Sequence, residues 1–148
     1  MIKQLLLALV LSSATVLIHA TGIVWVVLPL AGVWRKKVAT HNGVVPVMGL
    51  SRLVSGLLIL HLIEMGIWAI ALAALAVLPD FETALYFSLK SYTTVGYGDV
   101  LPAREWRLVG PIEAAVGVLM LGLSTSFIVA TLQRVHGSRH QPSTMSEP

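Results

Sequence analysis

The sequence predicts an all-α membrane protein, with three transmembrane helices and one shorter helix between the last two. Three observations predict it. Hydrophobic residues make up 56% of the 148 and charged residues only 11%, against ~25% charged in soluble domains. The mean hydropathy is +0.84. The charges also cluster, and the stretches they leave approach the roughly 20 apolar residues that a spanning helix needs. An ordinary soluble domain is excluded, and so is wholesale disorder, which requires low hydrophobicity and high net charge. There is no cysteine, so disulfide frameworks, thiolate zinc sites and cysteine nucleophiles are excluded. The net charge is +3 and the pI about 9.6, but the cations flank apolar runs. That is the pattern of cytoplasmic membrane flanks, and no nucleic-acid partner is expected.

The first element, residues 1–34, is a spanning helix. Between Lys3 and Arg35 no residue is charged, and His19 is the one ionisable side chain. Lys3, Leu5 to Leu11 and Ile18-His19-Ala20 also resemble a cleavable signal peptide. The apolar run continues through Ile23 to Leu28 into Arg35-Lys36-Lys37, which favours a retained span. Residues 35–52 then form a basic linker. His41-Asn42-Gly43 and Pro46 mark a turn, with room for an interfacial helix before Leu53.

The second span is an outer helix over 53–78, interrupted by His61 and Glu64. Pro79 to Arg107 is too polar to cross. A short helix is predicted over 80–92: Pro79-Asp80 gives an acidic N-cap and Glu82 an acid in the first turn. The third span is an inner helix over 105–135, interrupted by Glu113. Gly110-Pro111 marks either a kink in it or its true start. The tail, 136–148, is Ser/His/Pro-rich and reads as disordered. The positive-inside rule puts the linker and the tail in the cytoplasm. The protein is then multi-pass in the plasma membrane, N-terminus outside, and the segment after Pro79 is external.

That external segment carries the chemistry. A helix of three turns cannot cross, so it must enter and return. Irregular backbone at membrane depth survives only where it is buried or lines water. Thr93-Thr94-Val95-Gly96-Tyr97-Gly98 is such a stretch.

The run Thr94-Val95-Gly96-Tyr97-Gly98-Asp99 resembles the selectivity filter of potassium channels, a loop used to illustrate ion selectivity in general. The chain from about Leu53 to Val135 resembles the pore domain of bacterial two-helix potassium channels, preceded by an extra helix. The resemblance implies a homotetramer in the lipid bilayer, because the carbonyl rings need four contributors. It implies potassium ions held by the carbonyls of Thr94, Val95, Gly96 and Tyr97 and by the Thr94 hydroxyl. Gly96 and Gly98 allow backbone that a side chain would forbid. Val95 and Tyr97 would point backward and brace the filter. Thr93 and Asp99 would support it, Asp99 from just above. No cofactor beyond potassium is implied, and no enzymatic activity.

Departures from that pattern set further expectations. Lys90 lies four residues before Thr94, where several simple potassium channels carry a carboxylic acid. A buried ammonium needs a partner; Asp99 and Glu113 are the candidates, and snorkelling to the surface is the alternative. With the inner helix starting near Glu105, Glu113 lies roughly 12 Å in. His61 and Glu64, three apart, share a helix face near mid-membrane. They read as a proton-sensitive switch, as a metal site, or as a plain interhelical hydrogen bond to Ser, Thr or the first span. A metal is disfavoured because the order reverses the Glu-x-x-His motif and no second copy exists. Gly117 and Gly122 lie where inner helices of the family bend, or serve close packing. Ser124, Thr125 and Ser126 are placed to line the cavity. No span carries an arginine at every third position, so no voltage sensor is expected, and the tail is too short for a ligand-gating domain. The reading is a potassium-selective channel pore subunit. Its rivals are a weakly selective cation channel and a non-conducting membrane adaptor that kept the motif.

Overall fold

The computed structural model describes residues 1–29, 31–32 and 47–137. The basic cluster Arg35-Lys36-Lys37, the turn at His41-Asn42-Gly43 with Pro46, and the tail from 138 onward lie outside the described residues. The described chain is all helical: α1 (Ile2–Gly22), a π-helical turn (Ile23–Val27), α2 (Val47–Ala74), α3 (Phe81–Tyr92), a 3₁₀ turn (Arg104–Trp106) and α4 (Val109–Gly137). Three helical segments are long and apolar enough to cross a membrane: Ile2–Trp25, Val47–Ala74 and Arg104–Gln133. The three-span, all-helical class expected from composition is the class observed.

Element boundaries differ from expectation for local reasons. The outer helix, α2, runs Val47–Ala74 instead of 53–78. Its start directly follows Pro46 in the sequence, and Arg52 sits exposed within the helix, since long cations reach the interface from a helix end. Its end is a Schellman cap: Val77 N–H bonds Leu72 C=O at 2.9 Å and Ala76 N–H bonds Ala73 C=O at 3.0 Å. Ala76 takes the left-handed position at φ 51, which glycine usually fills. α3 starts as expected, for Asp80 accepts Thr83 N–H at 2.8 Å and Thr83 Oγ1–H at 2.9 Å. The inner helix, α4, begins at Val109 and not at 105. Pro111 therefore lies in a first turn, where its missing N–H costs nothing. α4 also continues through 136 and 137, past the expected start of the tail.

The core is layered along the bundle. One apolar layer joins Ala8 and Leu11 of α1, Trp68 and Leu72 of α2, Phe87 of α3 and Val109 of α4. Another, at the opposite end, joins Val27, Leu53 and Leu57 with Phe127 and Ile128. A polar layer lies between them. The buried positions of α1 are Gln4, Ala8, Leu11, Thr15 and His19, a stripe spaced by three and four residues. Thr15 Oγ1 accepts the Trp68 indole N–H at 2.9 Å. Gln4 Oε1 accepts Leu108 N–H at 3.2 Å, satisfying one of the free donors at the start of α4. That contact puts the start of α1 beside the start of α4. Outward-facing leucines, isoleucines and valines on all three spans are exposed, as lipid-facing positions require.

Candidate functional site

α3 ends at Tyr92, and its negative end leads directly into Thr93–Gly98. Thr93 N–H bonds Leu89 C=O at 3.3 Å, and Thr94 N–H bonds Ser91 C=O at 2.9 Å. The chain then turns sharply, and Gly96 N–H returns to Lys90 C=O at 3.1 Å. Positive φ recurs at every second residue: Thr94 at 62, Gly96 at 51 and Gly98 at 77. Glycine adopts this region freely, whereas Thr94 adopts it at a steric cost. Val95 and Tyr97 are 51% and 75% exposed. They do not bury against their own protomer, so the expectation that they pack backward is not met within one chain. A cleft of about 390 Å³ opens behind the segment, lined by Phe87, Lys90, Gly96, Leu101 and Gly110 among others.

Lys90 is 6% exposed. Its ammonium bonds the Asp99 carboxylate and lies 4.8 Å from the centre of the Tyr86 ring. Tyr86 O–H donates to the other Asp99 oxygen at 2.6 Å. The ammonium, and then the phenol, hold the Asp99 carboxyl down at about 2. Of the two acids proposed as Lys90's partner, Asp99 takes the place. Glu113 does not: it lies buried in the second turn of α4, and its oxygens make no bond to the ammonium. Among the described residues, Ser88 Oγ and both Glu113 oxygens are buried without a hydrogen-bond partner. Snorkelling of Lys90 is likewise not observed.

His61 and Glu64 lie in the polar layer, and His19 of the first span joins them. His19 Nδ1 is 2.8 Å from Glu64 Oε1. His61 Nδ1 is 3.0 Å from the Tyr92 hydroxyl and 3.4 Å from Glu64 Oε2. Tyr92 O–H donates to that same Glu64 oxygen. The Ser124 hydroxyl stands 2.9 Å from His61 Nε2 and 3.4 Å from His19 Nε2. α1, α2 and α3 therefore meet at one carboxylate, α4 joins through Ser124 and the two histidines, and Tyr92 is the last residue of α3. The interhelical hydrogen bonds expected as one reading of His61 and Glu64 are present, to Ser124 and to the first span. His19 went unassigned in the sequence. Its signal was its place on the stripe of Gln4, Ala8, Leu11 and Thr15, the one set of positions that brings polar side chains to a single face of α1.

The two inner-helix glycines differ. A Cβ at Gly117 would lie 2.1 Å from the Tyr92 carbonyl oxygen, so α4 packs there directly on the end of α3; at Gly122 no described atom lies within 4 Å. Ser124 turns into the polar layer. Thr125 and Ser126 are exposed, and their hydroxyls bond the carbonyls of Leu121 and Gly122, both at 2.9 Å.

Comparison with known proteins covers this same region. The TWiK family of potassium channels protein 18 of Caenorhabditis elegans is 45% identical over 83 residues, 53% of this chain and 16% of that protein. The potassium voltage-gated channel protein shk-1 of the same organism is 33% identical over 67 residues, 45% of this chain and 12% of that one. The calcium-gated potassium channel TvoK of Thermoplasma volcanium is 36% identical over 61 residues, 40% of this chain and 18% of that protein. The chain thus spans less than a fifth of the length of these relatives. No solved structure matches it. A family model described as an ion channel matches residues 56–134, which takes in α2 from its first third, α3 with Thr93–Gly98, and nearly all of α4, and on that match the chain belongs to the ion channel family.

Proposed function

We propose that the protein is the pore subunit of a potassium-selective channel, with residues 53–135 as its pore domain. The observation that carries this reading is the segment Thr94–Gly98. It follows a helix too short to cross a membrane and has positive φ at every second residue. Such a backbone turns successive carbonyls toward one line, and rings of carbonyls can replace the hydration shell of a potassium ion. Thr94, Val95, Gly96 and Tyr97 are the proposed ion-binding residues. Gly98 completes the turn, and Thr93, Asp99 and Lys90 support it.

A single chain supplies one quarter of each ring, so the working channel is a homotetramer about the filter axis. The exposure of Val95 and Tyr97 supports this, since both side chains remain free to pack on a neighbouring copy. The protein belongs in the plasma membrane with the filter end outside. The cations of 35–37 support that orientation, and the Gln4–Leu108 contact carries it to an external N-terminus.

Reconstitution into liposomes tests the reading. The protein should pass potassium and rubidium and exclude sodium strongly. Equal sodium and potassium flux would favour a weakly selective cation channel, to which the Lys90–Asp99 pair behind the filter points. No flux of either ion would favour a non-conducting membrane subunit.

A further inference from the structure

The polar layer has more order than three passing hydrogen bonds require. His19 is 1% exposed, His61 6% and Glu64 0%. One nitrogen or oxygen from each lies within 4.8 Å of the others. Each imidazole turns Nδ1 toward the Glu64 carboxylate, at 2.8 Å for His19 and 3.4 Å for His61. Each turns Nε2 toward one hydroxyl, that of Ser124, at 2.9 and 3.4 Å. The Tyr92 oxygen stands 3.0 Å from His61 Nδ1 and bonds Glu64. A divalent ion with bonds of about 2.0–2.2 Å to nitrogen and oxygen sets tetrahedral edges of roughly 3.3 Å. The His19–Glu64, His61–Tyr92 and His61–Glu64 separations of 2.8, 3.0 and 3.4 Å lie near that edge, the Tyr92–Glu64 contact is shorter, and outward shifts would admit an ion among them.

We propose that this layer is a binding site for a divalent transition-metal ion of the zinc class. His19 Nδ1, His61 Nδ1 and Glu64 are its three protein ligands, and the Tyr92 oxygen is the fourth donor. Two imidazoles and one carboxylate suit zinc, cobalt and nickel, and do not suit calcium or magnesium, which require oxygen ligands. Ser124 plays the part of the outer hydrogen-bond partner that fixes the ring orientation of a ligating histidine. The ligands come from two spans and the fourth donor from α3. A bound ion therefore ties α1 to the pore helices and draws on Tyr92, the residue before the filter segment. The site does not depend on what the filter conducts.

The test is a measurement of metal binding, read without ion flux. Purified protein in detergent is incubated at length with cobalt(II), because every ligand is buried, and the visible spectrum is followed as zinc(II) is added. Wild-type protein should take up about one cobalt ion per chain with the intense bands of a tetrahedral site, and zinc should bleach them. Ser124→Ala should weaken cobalt binding by about 10- to 100-fold. His19→Gln, which retains a hydrogen-bonding side chain and leaves the Thr15–Trp68 contact to hold α1, should abolish the tetrahedral bands. Cobalt that binds only weakly with a pale octahedral spectrum would overturn the proposal, and so would identical binding by wild type and His19→Gln. In either case the layer is a hydrogen-bond network alone.

Discussion

At the scale of single residues, Lys90 decides the chemistry behind Thr94–Gly98. An ammonium replaces the acid found there in several simple potassium channels, and it is stable because Asp99 and Tyr86 reach it. The folded state holds the Asp99 carboxyl near 2 against an ordinary 3.8. The sign follows from that direction. The stabilisation is fully present above about pH 3.8 and is lost as pH falls toward 2. Melting of the detergent-solubilised protein should therefore be flat down to about pH 4 and fall below it. Lys90→Met should lower the melting temperature at neutral pH and remove part of the low-pH slope. A cycle of Lys90→Met with Asp99→Asn should be clearly non-additive, and one with Glu113→Gln additive. Additivity in both cycles, or coupling in the Glu113 cycle alone, would show that the pair is wrongly assigned.

At the scale of elements, the contact between α3 and α4 is set by one missing side chain. Gly117 lets the inner helix lie directly on the Tyr92 carbonyl. Gly117→Ala should cost about 1–3 kcal/mol through overpacking. Gly122→Ala should be tolerated or gain up to about 1 kcal/mol from helix propensity, since nothing described lies near that position. The ranking of the two melting temperatures checks this. A Gly122 variant as damaged as the Gly117 variant would show that Gly122 packs on something beyond the single chain. For α1, the packing face is polar and small where a soluble helix would be apolar. In lipid, leucines gain little from burial between helices, and close packing with hydrogen bonds selects the interface instead. Gln4, Thr15 and His19, together with Ala8 and Leu11, are that interface.

At the scale of the whole molecule, the proposed topology of three spans puts the two ends of the chain on opposite faces of the membrane. Tags at the N- and C-termini should be labelled by impermeant reagents from opposite sides, the N-terminal one from outside. Cross-linking in the membrane should stop at tetramers. Labelling of both tags from one side would mean that α1 does not span. A ladder ending at dimers would remove the ring of four on which the proposed filter depends.

The class of the fold was legible because bilayer thickness converts hydrophobic length directly into spans. The irregular backbone of Thr94–Gly98 was legible because its glycine pattern reflects a local backbone need. The cap at Asp80 was legible for the same reason: Asp80 and Thr83 are sequence neighbours. Helix ends were less so, since the Schellman cap uses Ala76 where glycine would have been the signal, and Arg52 did not end a helix. The partner of Lys90, the packing role of Gly117 and the polar layer joining His19 to Glu64 were decided by tertiary structure. Glu64 lies 45 residues from His19, and Ser124 lies 105 from it. Composition and periodicity carry no information over such separations, and in a chain that is apolar on every face they do not show which face turns inward. That choice rests on where the few polar side chains find one another away from water.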